Sequence, residues 1–107
     1  MNTITPLVCN MNVFTPAQRE AHIQTTTELI QAIQGVHEVE NGYEFTFPNQ
    51  TDLITQIAEF ILNERLCCPF LKFTLNIVSD KEPVSLTLTG PIGTQEFLRA
   101  EFDGAIP

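Results

Sequence analysis

Residues 36–48 read VHEVENGYEFTFP, and this stretch decides the fold class. Asn41-Gly42 strongly favours a two-residue hairpin turn, because both residues adopt positive φ at little cost. On either side of the turn, residues of opposite polarity alternate, which is the period of a half-buried strand. Pro48 ends the second strand because it has no N–H to donate to a ladder. The stretch therefore predicts an antiparallel hairpin with one packed and one solvated face.

A helix precedes this hairpin. Thr15, Pro16 and Gln18 form a capping box with proline at the first helical position. Gly35 is suited to a left-handed C-cap, so the helix is expected over 16–34. Its predicted apolar stripe consists of Ile23, Ile30 and Ile33, with Thr26 between them.

The rest of the chain continues the alternation of strands and helices. A second helix is expected over 51–66, capped by Asn49 or Thr51 and closed by Pro69. Strands with alternating polarity follow over 71–77 and 84–89, and a short helix follows over 94–102. Residues 7–9 could add a short first strand.

These elements predict an α+β fold of order β-α-β-β-α-β-β-α. We expect a two-layer sandwich, ferredoxin-like or related, with the helices on one face of an antiparallel sheet. Residues 41–61 and 84–102 both follow the order strand, proline-containing break, helix, which suggests a structural repeat. The length of 107 residues fits a single domain over 1–107, with an ordered core about 7–102 and a loose tail over 103–107.

Charge and cysteine content narrow the function classes. Five basic and 13 acidic residues give a net charge of −8, which disfavours nucleic acids and membrane surfaces as partners. The odd number of cysteines, three, fits a reducing cytoplasm better than a secreted disulfide scaffold. Met1–Pro6 lacks the features of a signal peptide, and no apolar run approaches the ~18 residues of a membrane span.

The polar face of the predicted sheet carries few charges. A solvated surface is the simpler interpretation. A homo-oligomer formed by stacking two such faces is the alternative, because interface cores are depleted of charge. The residues expected on this face are Thr46, Thr74, Asn76, Ser85, Thr87 and Thr89.

The candidate functional segment is residues 64–70, ERLCCPF, at the junction of the second helix and the next strand. Thiolates bind soft metal and metalloid ions, but two adjacent cysteines chelate poorly. Cys9 is the candidate third ligand to complement Cys67 and Cys68. Glu64 lies three and four residues after the apolar positions 61 and 60, so we expect it to point inward as a ligand or as an acceptor behind the ligands.

Other roles for the cysteines stay open. Cys67 and Cys68 could be core residues, because free cysteine often packs as a small hydrophobe. A catalytic thiolate is disfavoured, because the C-terminal end of a helix raises a thiol pKa. A disulfide between the two neighbours is conceivable but strained. His22 and His37 are expected to be structural.

The run Glu64–Phe73, together with NGYEF over 41–45 and LTLTGP over 86–91, resembles a family of small uncharacterised bacterial proteins. Their pattern is E-R-x-C-C-P-F followed by L-x-L-x-G, usually with a cysteine near the N-terminus, and the resemblance covers about residues 7–102. Such proteins are often encoded near mercury or arsenic resistance genes. The resemblance implies a role in heavy-metal or metalloid stress, with Cys9, Glu64, Cys67 and Cys68 as the candidate site. Leu66 departs from the pattern, where relatives carry a more polar residue.

Three hypotheses follow from the sequence. The first is a non-enzymatic cytoplasmic protein that binds a soft ion through Cys67, Cys68 and Cys9, with Glu64. The second is a structural or interaction domain with core cysteines that forms a homo-oligomer. The third is a thiol-dependent enzyme.

Overall fold

A computed structural model describes residues 7–107. The sequence predicts no signal peptide in Met1–Pro6, and this segment lies outside the described residues. A short 3₁₀ turn precedes three helices and four strands, so the predicted α+β class is confirmed. A hairpin followed by a helix occurs twice in the chain, as the sequence suggests. The elements are η1 Met11–Val13, α1 Pro16–Ala32, β1 Gly35–Val39, β2 Gly42–Phe47, α2 Thr51–Cys67, β3 Lys72–Asn76, β4 Val84–Thr89 and α3 Thr94–Glu101.

The four strands form one antiparallel sheet in the order β1-β2-β4-β3. The predicted hairpin joins β1 to β2, but its two-residue loop is Glu40-Asn41 rather than Asn41-Gly42, because Val39 pairs with Gly42. Asn41 has a positive φ of 57°, whereas Gly42 already lies in the extended strand. A side chain at Gly42 would collide with the backbone of Leu88 on the neighbouring strand. One face of the central strands is buried in the core, through Tyr43, Phe45, Phe47, Val84, Leu86 and Leu88.

The predicted first strand over residues 7–9 is wrong. These residues pair with no strand in the described chain, and the backbone N–H of Asn10 instead donates to the carbonyl of Cys67 at 2.7 Å. The last carbonyls of a helix have no partner within the helix. The N-terminal segment supplies such a partner at the end of α2, and Cys9 is thereby brought to this end of the helix.

The predicted start of α1 is confirmed and its end is corrected. Thr15 and Gln18 form the reciprocal bonds of the capping box. The helix ends at Ala32, and Gly35 begins β1 rather than capping α1, because the N–H of Gln34 already donates to the carbonyl of Thr46 on β2.

The buried stripe of α1 also differs from the prediction. His22 and Leu29 are the buried residues of the helix, whereas Ile23 is 49% exposed. The helix is therefore rotated so that a histidine, rather than the neighbouring isoleucine, faces α2.

Helix α2 extends over the predicted range but has no side-chain N-cap. Asn49, one of the two predicted caps, instead donates from its amide to the carbonyls of Ser79 and Glu82. These bonds tie the start of α2 to the turn between β3 and β4.

The outer face of the sheet is polar, and it carries one acidic group near its centre. Glu44 lies opposite Thr87, which in turn lies opposite Thr74. Oligomerisation through this face stays a prediction. At the end of the chain, where the sequence predicts a tail, Ala105 and Ile106 pack against the core. Within residues 7–107, no helix combines the length and apolar character that a membrane crossing requires.

Candidate metal centre

Helix α2 directs three residues of one stripe into the core. Phe60, Glu64 and Cys67 are spaced by four and three residues, which places them on one side of a helix. All three are at most 1% exposed. The prediction that Glu64 points inward is therefore confirmed.

The end of α2 brings two consecutive cysteine sulfurs onto the same side. Cys68 is the C-cap and has left the helical conformation, with φ −124° and ψ 71°, and Pro69 follows it. Its N–H still donates to the carbonyl of Glu64 at 2.7 Å. As a result, the Sγ atoms of Cys67 and Cys68 lie 3.5 Å apart, and both residues are fully buried.

Cys9 completes the group. It forms a disulfide with Cys68, across a sequence separation of 59 residues and with the two Cα atoms 4.6 Å apart. Cys67 is the free thiol. This differs from the expectation of reduced thiols throughout, and the partner of Cys68 is Cys9 rather than its neighbour Cys67.

The four predicted site residues thus meet in one place. A sulfur atom from each of Cys9, Cys67 and Cys68 and a carboxylate oxygen of Glu64 all lie within 4.8 Å of one another. Around a tetrahedral ion with metal–sulfur bonds of about 2.3 Å, sulfur atoms are about 3.8 Å apart. The chain therefore has a cysteine cluster that could hold a metal ion once the disulfide is reduced.

Two further residues lie beside this cluster, and the sequence does not predict either of them at the site. The first is His22 on α1, which is 4% exposed and lies between the rings of Phe14 and Phe60, at centroid distances of 5.5 and 5.7 Å. Its Nε2 is 2.8 Å from Oε1 of Glu64. The seven-residue spacing between His22 and Leu29 is a signal that could have shown His22 to be buried, but nothing in the sequence indicates its partner.

The second missed residue is Glu101 at the end of α3, whose Oε2 lies 3.8 Å from Sγ of Cys9. Its position 92 residues from Cys9 in the chain hides this contact from any local pattern. Two carboxyl groups, one imidazole and three sulfurs are therefore gathered where α1, α2, α3 and the N-terminal segment meet.

This environment favours the protonated forms of its acids. Burial, and then the nearby carboxyl group of Glu64, raise the pKa of Glu101 to about 10. Burial likewise raises the pKa of Glu64. Burial and the charge of Glu64 raise the pKa of the Cys67 thiol to about 12, whereas burial lowers the pKa of His22. A bound cation would reverse these preferences, because metal ligands are deprotonated forms.

Several polar atoms of the cluster are buried with few partners. Nδ1 of His22 has none within residues 7–107, and Oε2 of Glu64 and Oε1 of Glu101 have none beyond the hydrogen bond between the two carboxyl groups. Buried polar atoms usually have a partner, which includes water or an ion. All three residues, together with Cys9, line a cavity of about 240 Å³ that lies against α1.

Comparison of the chain with protein-family models, with curated proteins and with solved structures found no match. The function is therefore argued from the geometry and chemistry of this cluster.

Proposed function

We propose that the protein, in its reduced form, binds one soft metal or metalloid ion through the thiolates of Cys9, Cys67 and Cys68, with Glu64 as a fourth donor. The convergence of these four donor atoms within 4.8 Å is the observation that carries the proposal. Cys67 and Cys68 are adjacent, and Glu64 lies one helical turn before them. Cys9 is 55 or more residues away from all three, so the fold rather than the local sequence brings the four donors together.

The donor set determines the class of ion. Three sulfur donors favour polarizable ions such as Zn²⁺, Cu⁺, Hg²⁺ and trivalent arsenic over hard cations such as Mg²⁺ and Ca²⁺. His22 contacts Glu64 at 2.8 Å and would orient its carboxylate from behind, as residues around metal ligands commonly do. The protein would buffer, sense or hand on the ion, in a reducing compartment such as the cytoplasm.

The disulfide defines the condition for binding. Cys9 and Cys68 cannot be joined to each other and serve as two thiolate ligands at the same time. Ion binding therefore requires reduction of this bond, and the oxidised form retains only Cys67 and Glu64 as free donors.

Native mass spectrometry of the anaerobically reduced protein tests the proposal. The chain is incubated with Zn²⁺, Hg²⁺ or arsenite in the presence of competing glutathione. We expect uptake of one ion per chain that survives the competition, and loss of this uptake in a Cys67→Ala/Cys68→Ala variant. Alanine is used because both sites are fully buried, and a hydroxyl placed there would lack partners.

Leu66→Ser is the matched control, since Leu66 precedes the cysteine pair and is 49% exposed. This variant should bind as the wild-type protein does. If the wild-type protein takes up no ion in competition with glutathione, the proposal is wrong and the cysteines are core residues. If the double alanine variant folds and still binds stoichiometrically, Cys67 and Cys68 are not the ligands.

A further inference from the structure

The cavity beside the cluster is larger than an ion requires. Its volume is about 240 Å³, and the proposed ligands that line it are Cys9 and Glu64. Cys67 and Cys68 lie behind these two residues, fully buried. An ion held by the four donors would thus lie at one end of the cavity and leave most of its volume free.

Part of the cavity lining is apolar and consists of Met11, Ile23 and Ile30. Thr26 and Thr27 also line it, but their hydroxyl groups already donate to the carbonyls of His22 and Ile23 in their own helix. This part of the lining therefore offers hydrocarbon surface rather than free hydroxyl groups. It begins about one helical turn from the buried His22.

The polar part of the lining consists of His22, Glu64 and Glu101. Nδ1 of His22 is buried without a partner among residues 7–107, and Oε2 of Glu64 and Oε1 of Glu101 have no partner there beyond the hydrogen bond between the two carboxyl groups. A ligand that matches this lining combines a thiol-reactive centre that carries hydroxyl groups, for the polar residues, with a small apolar group, for Ile23 and Ile30.

We propose that the cavity receives the organic group of a soft ion that carries one small hydrocarbon substituent, such as a mono-organic trivalent arsenical. This inference rests on the proposed function and specifies its substrate class. Trivalent arsenic with one organic group has two valences left, and Cys9 and Cys68 are the two sulfurs that lie closest together. Because Cys9 lines the cavity, the substituent on the bound atom would extend toward Ile23 and Ile30.

The binding step is balanced without an oxidant or a reductant. For R–As(OH)₂, each arsenic–sulfur bond forms as one arsenic–oxygen bond breaks, and the thiol proton leaves with the hydroxide as water. The oxidation state of arsenic does not change. Before they leave, the two hydroxyl groups are donors for the carboxyl oxygens of Glu64 and Glu101 that line the cavity.

Competition binding with phenylarsine oxide and arsenite tests the inference on the reduced protein. Dithiothreitol serves as the reference, because it measures the preference of a free dithiol for the organic arsenical. The measured quantity is the ratio of the affinity for phenylarsine oxide to the affinity for arsenite. We expect this ratio to be about tenfold larger for the protein than for dithiothreitol, because a small apolar group in a fitting pocket usually contributes that much.

Ile23→Trp fills the mouth of the cavity at a position that is 49% exposed and so tolerates a larger side chain. It should weaken phenylarsine oxide binding by about tenfold and leave arsenite binding unchanged. Leu62→Trp is the matched control, because Leu62 is 54% exposed and lies outside the cavity lining; it should change neither affinity.

The failures of the two proposals are distinguishable. If arsenite binds but phenylarsine oxide shows no excess preference, or if Ile23→Trp leaves both affinities unchanged or weakens both equally, the cavity does not receive the substituent. If neither arsenical binds and the protein takes up no Zn²⁺ or Hg²⁺, the ion-binding function itself is wrong.

Discussion

The imidazole Nε2 of His22 on α1 lies 2.8 Å from the carboxyl Oε1 of Glu64 on α2, and both side chains are almost fully buried. This contact is the polar link between the two long helices at the level of the cysteine cluster. Burial lowers the pKa of His22, so the neutral imidazole is the favoured form. A neutral ring that donates from Nε2 to Glu64 keeps Nδ1 as an acceptor at the cavity.

Removal of this imidazole should destabilise the protein. His22→Ala leaves the Glu64 carboxyl group without its partner and opens space between Phe14 and Phe60, so we expect a loss of about 2–4 kcal/mol in the free energy of unfolding. Urea denaturation of the reduced protein measures this loss. His37→Ala is the control, because the His37 side chain is 68% exposed, and it should change stability by less than about 0.5 kcal/mol. Equal effects of the two substitutions would mean that the buried pair contributes nothing specific.

The Glu101 carboxyl group should make stability depend on pH. The pKa of this group is about 10 in the folded chain, above the ordinary value of 4.5. Between these values the folded state holds a proton that the unfolded state releases, so stability falls as pH rises. Glu101→Gln should reduce this fall and increase the free energy of unfolding at pH 8 by up to about 5 kcal/mol, which corresponds to the 3.5 pH units between 4.5 and 8.

Urea denaturation at several pH values between 5 and 9 measures this effect. Some decline remains in the variant, because burial also raises the pKa of Glu64. Glu96→Gln is the control on the same helix, since the Glu96 side chain is 69% exposed. The explanation fails if the two variants show the same dependence on pH.

The disulfide should contribute measurably to stability. It closes a loop of 59 residues between Cys9 and Cys68, and the loss of chain entropy in the unfolded state predicts about 4 kcal/mol. We expect the reduced wild-type protein to unfold at a correspondingly lower urea concentration. Cys9→Ser should behave like the reduced protein whether or not reductant is present, whereas Cys67→Ala should retain the response to reductant. An oxidised wild-type protein with no stability advantage would contradict this pairing.

The free thiol of Cys67 should react slowly with alkylating reagents. Its pKa of about 12 leaves almost no thiolate at neutral pH, and the side chain is fully buried. In the oxidised protein at pH 7, iodoacetamide should modify Cys67 far more slowly than free glutathione, and urea should abolish the difference. Mass spectrometry follows the modification. Rapid alkylation of the folded protein at pH 6 would favour the thiol-dependent enzyme instead.

The sequence predicts the parts of the fold that local chemistry determines. Neighbouring residues define three of these parts: the hairpin at Asn41, the start of α1 at Thr15 and the alternating strand β4. Residues 7–9 are different, because their partner is the end of α2 rather than a strand, and no period in three residues could reveal that.

The same distinction applies to the site. Glu64 could be predicted to point inward because its helix has a clear apolar stripe, and the cysteine pair identifies its own location. His22 and Glu101 come from other helices and contact the cluster only through tertiary packing. Both side chains are also polar, whereas a hydrophobic pattern identifies only apolar residues as buried. Contacts between separate elements stabilise these buried polar groups, and such contacts cannot be read from a single sequence.

Oxidation and ion binding should exclude each other, because both use the sulfurs of Cys9 and Cys68. We expect the oxidised protein to take up no Hg²⁺ in competition with glutathione, and reduction to restore uptake of one ion per chain. Conversely, the ion-loaded protein should resist disulfide formation when a mild disulfide oxidant is added, and alkylation in urea after removal of the ion should then detect three thiols rather than one. Leu66→Ser should show the same exclusion as the wild-type protein. An oxidised chain that bound the ion as tightly as the reduced chain would show that Cys9 and Cys68 are not ligands, since a sulfur in a disulfide is no longer a thiolate donor.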